Sequence, residues 1–348
     1  MKTKKIVVII LILLMLFATA CVKLTDGTQN LDDPQFINDL PFPNLVDAGK
    51  NIENANADGW YEVFTDDFDG TTLNAGLEQE IWTYSPHGKR TATLNDKHPE
   101  YTSYWCPDMV TVVDGKLEVR TKESNTHVCS SGICPSNGRF TGGIETRKGI
   151  VTPEGIKTTD TLFEQAFGYF ETRVKFPKEN GLWSAFWLQS VNQGKIGNDG
   201  QDGTEIDVYE SAFIKHKSYM GHALLWDGYS DYARVKGYRG NFSEISKDFF
   251  DGYHTFALKW TPTSYVFYID GVATWVSNDG GVAKVPEFLR LTVEVDNGDA
   301  YGPHGQKIGM YKDKGSVFYV DYVKVYQNKN YLTSIKSNDD YLDMRESV

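Results

Sequence analysis

The densest chemistry in this chain is the acidic run E-I-D-V-Y-E over residues 205–210. Side chains alternate along a regular strand, so Glu205 and Asp207 share a face and Glu210 falls on the other. One extra residue, a β-bulge, would return Glu210 to the side of the other two. Three carboxylates on one face repel one another, which is costly in a merely structural strand. Repulsion and burial together keep at least one carboxyl protonated near neutral pH. One ionised carboxylate beside one protonated acid is the pair that cleavage of a glycosidic bond requires. Taken alone, the pattern fits an acidic solvent-facing strand or a calcium ligand set equally well.

The flanking segments add aromatic surface. G-L-W-S-A-F-W-L precedes the acidic run at 181–188, and S-Y-M-G-H-A-L-L-W follows it at 218–226. Trp183 and Trp187 are four apart, so a regular strand sets both on one face. They serve either as core packing or as a platform on which the C–H faces of sugar rings stack. Acidic trio and flanking tryptophans together suggest a carbohydrate cleft.

The elements that must position these residues read as strands. Aromatics make up 14% of the 348 residues, beside 32 Gly, a balance that favours short strands and turns. Residues 110–121 read as a hairpin about Asp114-Gly115. In 169–176, Phe170, Val174 and Phe176 alternate with Glu171, Arg173 and Lys175. In 253–260, His254 shares a face with Phe256, Leu258 and Trp260, and is either a satisfied core histidine or a polar contact. Leu289, Leu291, Val293 and Val295 alternate with Arg290, Thr292, Glu294 and Asp296; residues 264–270 and 317–326 are further strands. Ten or more strands without βαβ alternation predict an all-β, two-sheet sandwich or jelly roll. The net charge of −12 disfavours nucleic acid and anionic lipid surfaces and suits a neutral substrate.

In chain order, F-T-D-D-F-D-G (64–70), D-G-K-L (114–117), G-Y-F-E-T-R-V-K (168–175), the tryptophan and acidic segments, Y-H-T-F-A-L-K-W (253–260) and V-D-Y-V-K-V-Y (320–326) form a set. It resembles glycoside hydrolase family 16, the family of laminarinases, lichenases, agarases and carrageenases. The resemblance implies a concanavalin-like β-jelly roll sandwich with an open substrate cleft on its concave sheet. It implies endo-acting hydrolysis of β-linked glucans or galactans with retention of configuration. By it, Glu205 is the nucleophile, Glu210 the general acid/base, and Asp207 the residue that holds Glu205 and steers its protonation. Trp183 and Trp187 line subsites; His222 and Trp226 match the next cleft strand as substrate contacts. The bulged motif is similar to that of laminarinases and agarases, and favours β-1,3- or mixed-linkage β-1,3-1,4-glucan as substrate. Galactans and mucin glycans are the alternative substrates, transglycosylation an alternative reaction, and non-catalytic glycan binding an alternative function. The last would be marked by loss of a catalytic Glu, and both are present. Catalysis needs no cofactor, but the resemblance allows one structural calcium at the backbone of Gly115 and the carboxylate of Asp321, which is otherwise an ordinary strand-end residue. Residues 84–107 and 122–141 depart from the family pattern.

The N-terminus reads as an address. Lys2, Lys4 and Lys5 precede an apolar run over 6–18, too short to span a bilayer with margin. It ends in A-T-A-C at 18–21, which resembles a bacterial lipoprotein signal with Cys21 as the lipidated residue. The expected layout is signal peptide 1–20, tether 21–58, catalytic domain 59–327 and polar tail 328–348. The expected product is an exported, monomeric, membrane-anchored surface lipoprotein. Of the remaining cysteines, Cys129 and Cys134 bracket a plausible small disulfide loop, which leaves Cys106 over.

Overall fold

The computed structural model of the protein describes residues 37, 40–85, 88–89, 102–130, 134, 136–152, 155–194, 199–213, 216–226, 237–295 and 311–337. Cys21 and the expected signal peptide lie outside these residues. Two antiparallel sheets face each other. One has seven strands, in the order Tyr238–Glu244, His216–Leu225, Glu205–Phe213, Leu182–Gln189, Phe288–Val295, Gly143–Glu145 and Thr83–Tyr84. The other has eight, running from Val272–Ser277 through Ser264–Ile269, His254–Thr261, Gly168–Lys175, Val317–Asn328 and Leu117–Arg120 to Val110–Val112, with Trp60–Asp66 also paired to Val317–Asn328. The all-β sandwich expected from the alternation is what forms.

The alternating apolar residues meet between the sheets. Phe186, Leu188, Ile206, Leu224, Leu289 and Leu291 from the first sheet pack in one core with Phe170, Val174, Phe256, Leu258, Phe318 and Val320 from the second. Burying a large apolar side chain contributes about 1.5–3 kcal/mol, so this core fixes which face each strand turns outward. The hairpin at Asp114-Gly115 closes on φ of 50° and 69° at those residues, with reciprocal backbone bonds between Val113 and Lys116. Both turn residues are left-handed, the conformation a two-residue hairpin loop demands.

The loops that depart from the family pattern build a further sheet. Gly88–Lys89, Ser103–Trp105, Gly138–Thr141 and Lys122–Ser124 form four strands, and Ser103–Trp105 runs parallel to Gly138–Thr141. A disulfide joins Cys106 to Cys129, so the expected Cys129–Cys134 loop is not the one that forms. The parallel pairing carries Cys106 across to the strand that follows the cysteine loop; nearness in sequence was no guide. Cys134 instead directs its Sγ to the carbonyl of Trp105, 3.7 Å away.

The segment expected as a tether over 21–58 docks in its second half. Ile37 is buried, and Phe42 meets Tyr169 and Tyr268 edge-to-face at 5.5 and 5.4 Å. Lys50 bridges to Glu62 of the first strand. The tail also begins ordered: a 3-10 turn, Lys329–Ser334, is capped by Asn328 and sets Tyr331 against Trp60 at 5.8 Å. Apolar residues spaced irregularly among Asp, Asn and Pro hid this packing from a reading of periodicity.

Candidate active site

The acidic strand Glu205–Phe213 lies between the tryptophan strand Leu182–Gln189 and the histidine strand His216–Leu225. Trp187 opposes Asp207, Phe186 opposes Tyr209, and Ala185 opposes Glu210. On the other side Ala223 opposes Asp207, and Gly221 opposes Glu210. Three steps along the acidic strand therefore match two on each neighbour, which is a β-bulge. Val208 and Tyr209 both turn into the inter-sheet core. Glu210 thereby returns to the outer face, beside Glu205 and Asp207.

Each carboxyl has a different setting. Gln189 Nε2 donates to Glu205 Oε2 at 3.1 Å, and Trp183 Nε1 donates to Glu210 Oε1 at 3.1 Å. Glu205 and Asp207 are buried, while Glu210 keeps part of its surface open. Burial, then the charge of Glu205, pushes Glu210 up to about 8 against the pull of the Trp183 hydrogen bond. Burial, with the charges of Glu210 and Glu205, holds Asp207 well above the usual carboxylate range. Near neutral pH, Glu210 is thus a proton donor on the same face as Glu205, the acid and nucleophile pattern of a retaining glycosidase.

The rest of the outer face falls into two halves. Toward Gly143–Glu145, Arg290 stacks over Trp187 at 4.0 Å and Trp105 at 5.2 Å, and its Nε pairs with Glu145 at 3.0 Å. Trp105 comes from the four-stranded sheet, packs on Ala185 and Trp187, and donates its Nε1 to the Val293 carbonyl at 3.0 Å. Toward the edge strand Tyr238–Glu244, the floor is small: Gly221, Ala223 and Gly240. Tyr238 and Phe242 stand there 63% and 44% exposed. A Cβ on Gly240 would come within 2.1 Å of the Tyr238 hydroxyl, and one on Gly221 within 3.2 Å of the Phe242 ring. The two glycines let the aromatic rings lie down beside the carboxylates. Glycine inside a strand often marks such a close approach, and that signal at Gly221 and Gly240 could have found Tyr238 and Phe242. Nothing comparable in the sequence announces the Arg290–Glu145 pair.

Trp183 and Trp187 reach the outer face as expected, Trp187 largely covered by Trp105 and Arg290. His222 and Trp226, expected as substrate contacts, do not. Their strand alternates so that Gly221 and Ala223 face outward and His222 faces the core. The His222 ring is 2% exposed and packs against Phe267 and Trp275 of the opposite sheet, centroids 4.9 and 6.2 Å away. Trp226 is buried against Gly280, where a Cβ would stand 2.1 Å from its ring. His254 is a satisfied histidine on the second sheet, bonded to Asp270 at 2.9 Å and to the Asp248 carbonyl at 3.2 Å. The residues at Gly115 and Asp321 fit a calcium poorly, because the Arg173 guanidinium already pairs with the Asp321 carboxylate. Among the described residues, the one group of three side chains with metal-ligand spacing is Cys106, Asp108 and His127, and its cysteine is held in the disulfide.

Comparison with known proteins gives the same picture. The family model described as glycosyl hydrolases family 16 matches residues 144–295, which span the tryptophan, acidic and histidine strands. Two endo-1,3-1,4-beta-glycanases of Rhizobium meliloti (strain 1021) are 24% and 26% identical, each over 76% of this chain and 51% of their own length. The chain therefore spans about half the length of these curated relatives. The catalytic domain of an endo-1,3-beta-glucanase (laminarinase) from Thermotoga petrophila RKU-1 superposes with a TM-score of 0.56 at 20% identity, covering 79% of this chain and 100% of that one, a likeness of fold. Residues 144–295 thus match glycosyl hydrolases family 16 by sequence, through the acidic strand, and the sandwich shares its fold with the laminarinase domain.

Proposed function

We propose that the protein is an endo-acting, retaining β-glycanase that hydrolyses β-1,3- and mixed-linkage β-1,3-1,4-glucan by double displacement. The observation that carries this reading is the bulged strand, which sets Glu210, pushed up to about 8, on one face with Glu205. In the first step Glu205 attacks the anomeric carbon. Glu210 gives its proton to the departing oxygen as that bond breaks, leaving a glycosyl ester on Glu205. In the second step Glu210 takes a proton from water, whose oxygen attacks the same carbon and releases Glu205. Asp207, buried on the same face and held well above the usual carboxylate range by burial and the charges of Glu210 and Glu205, is the residue that steers the protonation of the nucleophile.

A neutral glucan suits the outer face. Arg290 is engaged by Glu145 and by Gln189 at 3.4 Å, so its charge is already committed rather than offered to a sulfate ester. The curated relatives named above are endo-1,3-1,4-beta-glycanases, which supports the linkage assigned here. The N-terminal A-T-A-C supports lipidation at Cys21, export, and attachment of the catalytic domain to a membrane surface. The direct test is incubation with laminarin, lichenan, barley glucan, agarose and mucin glycans, with product sizing. Mixed oligosaccharides from laminarin or lichenan are expected. Release from agarose or mucin alone would overturn the substrate assignment.

A further inference from the structure

The bulge leaves a backbone group to satisfy. On a regular ladder the Val208 carbonyl would bond the backbone of a neighbouring strand. The bulge breaks the register between Asp207 and Glu210 on the side of His216–Leu225. Leaving a buried carbonyl unbonded costs about 1–3 kcal/mol, enough to favour other registers. The residue between the two partners of the bulged segment, Ala223 and Gly221, is His222. Its Nδ1 lies 2.7 Å from the Val208 carbonyl oxygen.

We propose that His222 is a positioning residue that locks the bulge and so holds Glu210 on the face of Glu205; this rests on the glycosidase reading of the site. A carbonyl cannot donate, so Nδ1 carries the hydrogen and Nε2 is the acceptor. Thr274 Oγ1 stands 3.4 Å from Nε2 and 3.3 Å from the Phe267 carbonyl, so its one hydrogen is shared between the two acceptors. Burial drives the ring's pKa down to about 4, so it stays neutral in this tautomer across the working range. Packing on Phe267 and Trp275 fixes the ring plane. The opposite sheet thus reaches through the core to the bulge. Any buried imidazole needs a partner; what singles out His222 is that its partner is the carbonyl of Val208, which has no opposite residue in the register of either neighbouring strand.

The test compares His222→Leu, which keeps apolar volume and removes the donor, with His222→Asn, whose amide nitrogen can stand where Nδ1 stands. On the polysaccharide the wild type cleaves, His222→Leu should lose at least about tenfold in kcat with KM within about twofold. His222→Asn should keep kcat within about threefold. On an activated aryl β-glycoside, whose leaving group needs little protonation, His222→Leu should lose less than on the polysaccharide. A carboxyl 13C NMR titration gives a readout independent of substrate: the raised Glu210 pKa should fall in His222→Leu and persist in His222→Asn. Equal kcat for the Leu variant and wild type, equal losses in both variants, or an unmoved Glu210 titration would each overturn the proposal. Should His222→Leu not be recovered folded, His222→Phe, which keeps a ring against Phe267 and Trp275 and removes the donor, provides the same comparison: lower kcat at unchanged KM is expected, and wild-type kcat overturns the proposal. Failure of the wild type on every polysaccharide would overturn the glycosidase reading while the titration still decides the role of His222.

Discussion

Glu205 and Glu210 are distinguished by what touches them. Glu205 accepts from Gln189, while Glu210 is held protonated by burial and by the charge of Glu205. Replacing either with Ala should cost about 10²–10⁴-fold in kcat, the usual reach of such groups. With an activated aryl glycoside and azide, Glu205→Ala should yield an α-glycosyl azide and Glu210→Ala a β-glycosyl azide; the reverse pairing would exchange their roles. The raised Glu210 also sets the sign of two pH effects. Activity should fall as pH rises past about 8 and the acid loses its proton. The folded pKa lies above the unfolded one, so the associated stability is present below about 4.5 and is lost as pH rises toward about 8. Glu210→Gln should therefore gain stability over the wild type at pH 9 relative to pH 5. Urea unfolding at the two pH values measures this, and an equal difference at both would contradict the assignment.

The strands divide the outer face into a half packed by Trp105, Trp187 and Arg290 and a half paved by Gly221, Ala223 and Gly240 beneath Tyr238 and Phe242. The open half is the one where further sugar rings can stack. Tyr238→Ala and Phe242→Ala should each raise KM for long oligosaccharides about three- to tenfold, and less for short ones, as initial rates over a length series would show. The disulfide between Cys106 and Cys129 braces the sheet that carries Trp105. Cys129→Ser should lower stability by about 2–4 kcal/mol, read from thermal unfolding. Period-two alternation revealed the strands and the carboxylate trio, since only a bulge could unite Glu205, Asp207 and Glu210. The family resemblance misplaced His222: matching the next cleft strand does not say which of its two faces the residue takes, whereas alternation with Met220 and Leu224 turns it to the core. The pairing of Cys106 with Cys129 was equally hidden, being set by a parallel strand contact across a long loop.

Across the sandwich, one sheet carries the carboxylates on its outer face and the other packs behind it, with Phe267 and Trp275 against His222. Residues 40–58 dock on the second sheet, through the Phe42 ring and the backbone bridge from Lys50 to Glu62. If Cys21 carries the lipid, the host should retain the protein in the membrane fraction, released by detergent and not by salt, and Cys21→Ser should abolish that retention. Detergent-dependent retention of the variant would contradict the anchor. Glu205 and Glu210, on one face of the bulged strand, are proposed to cut β-glucan by double displacement. Proton NMR of a laminarin or lichenan digest, followed from the first minute, tests it most directly. The β-anomer of the new reducing end should appear first and mutarotate later, whereas an α-anomer as the initial product would contradict the mechanism.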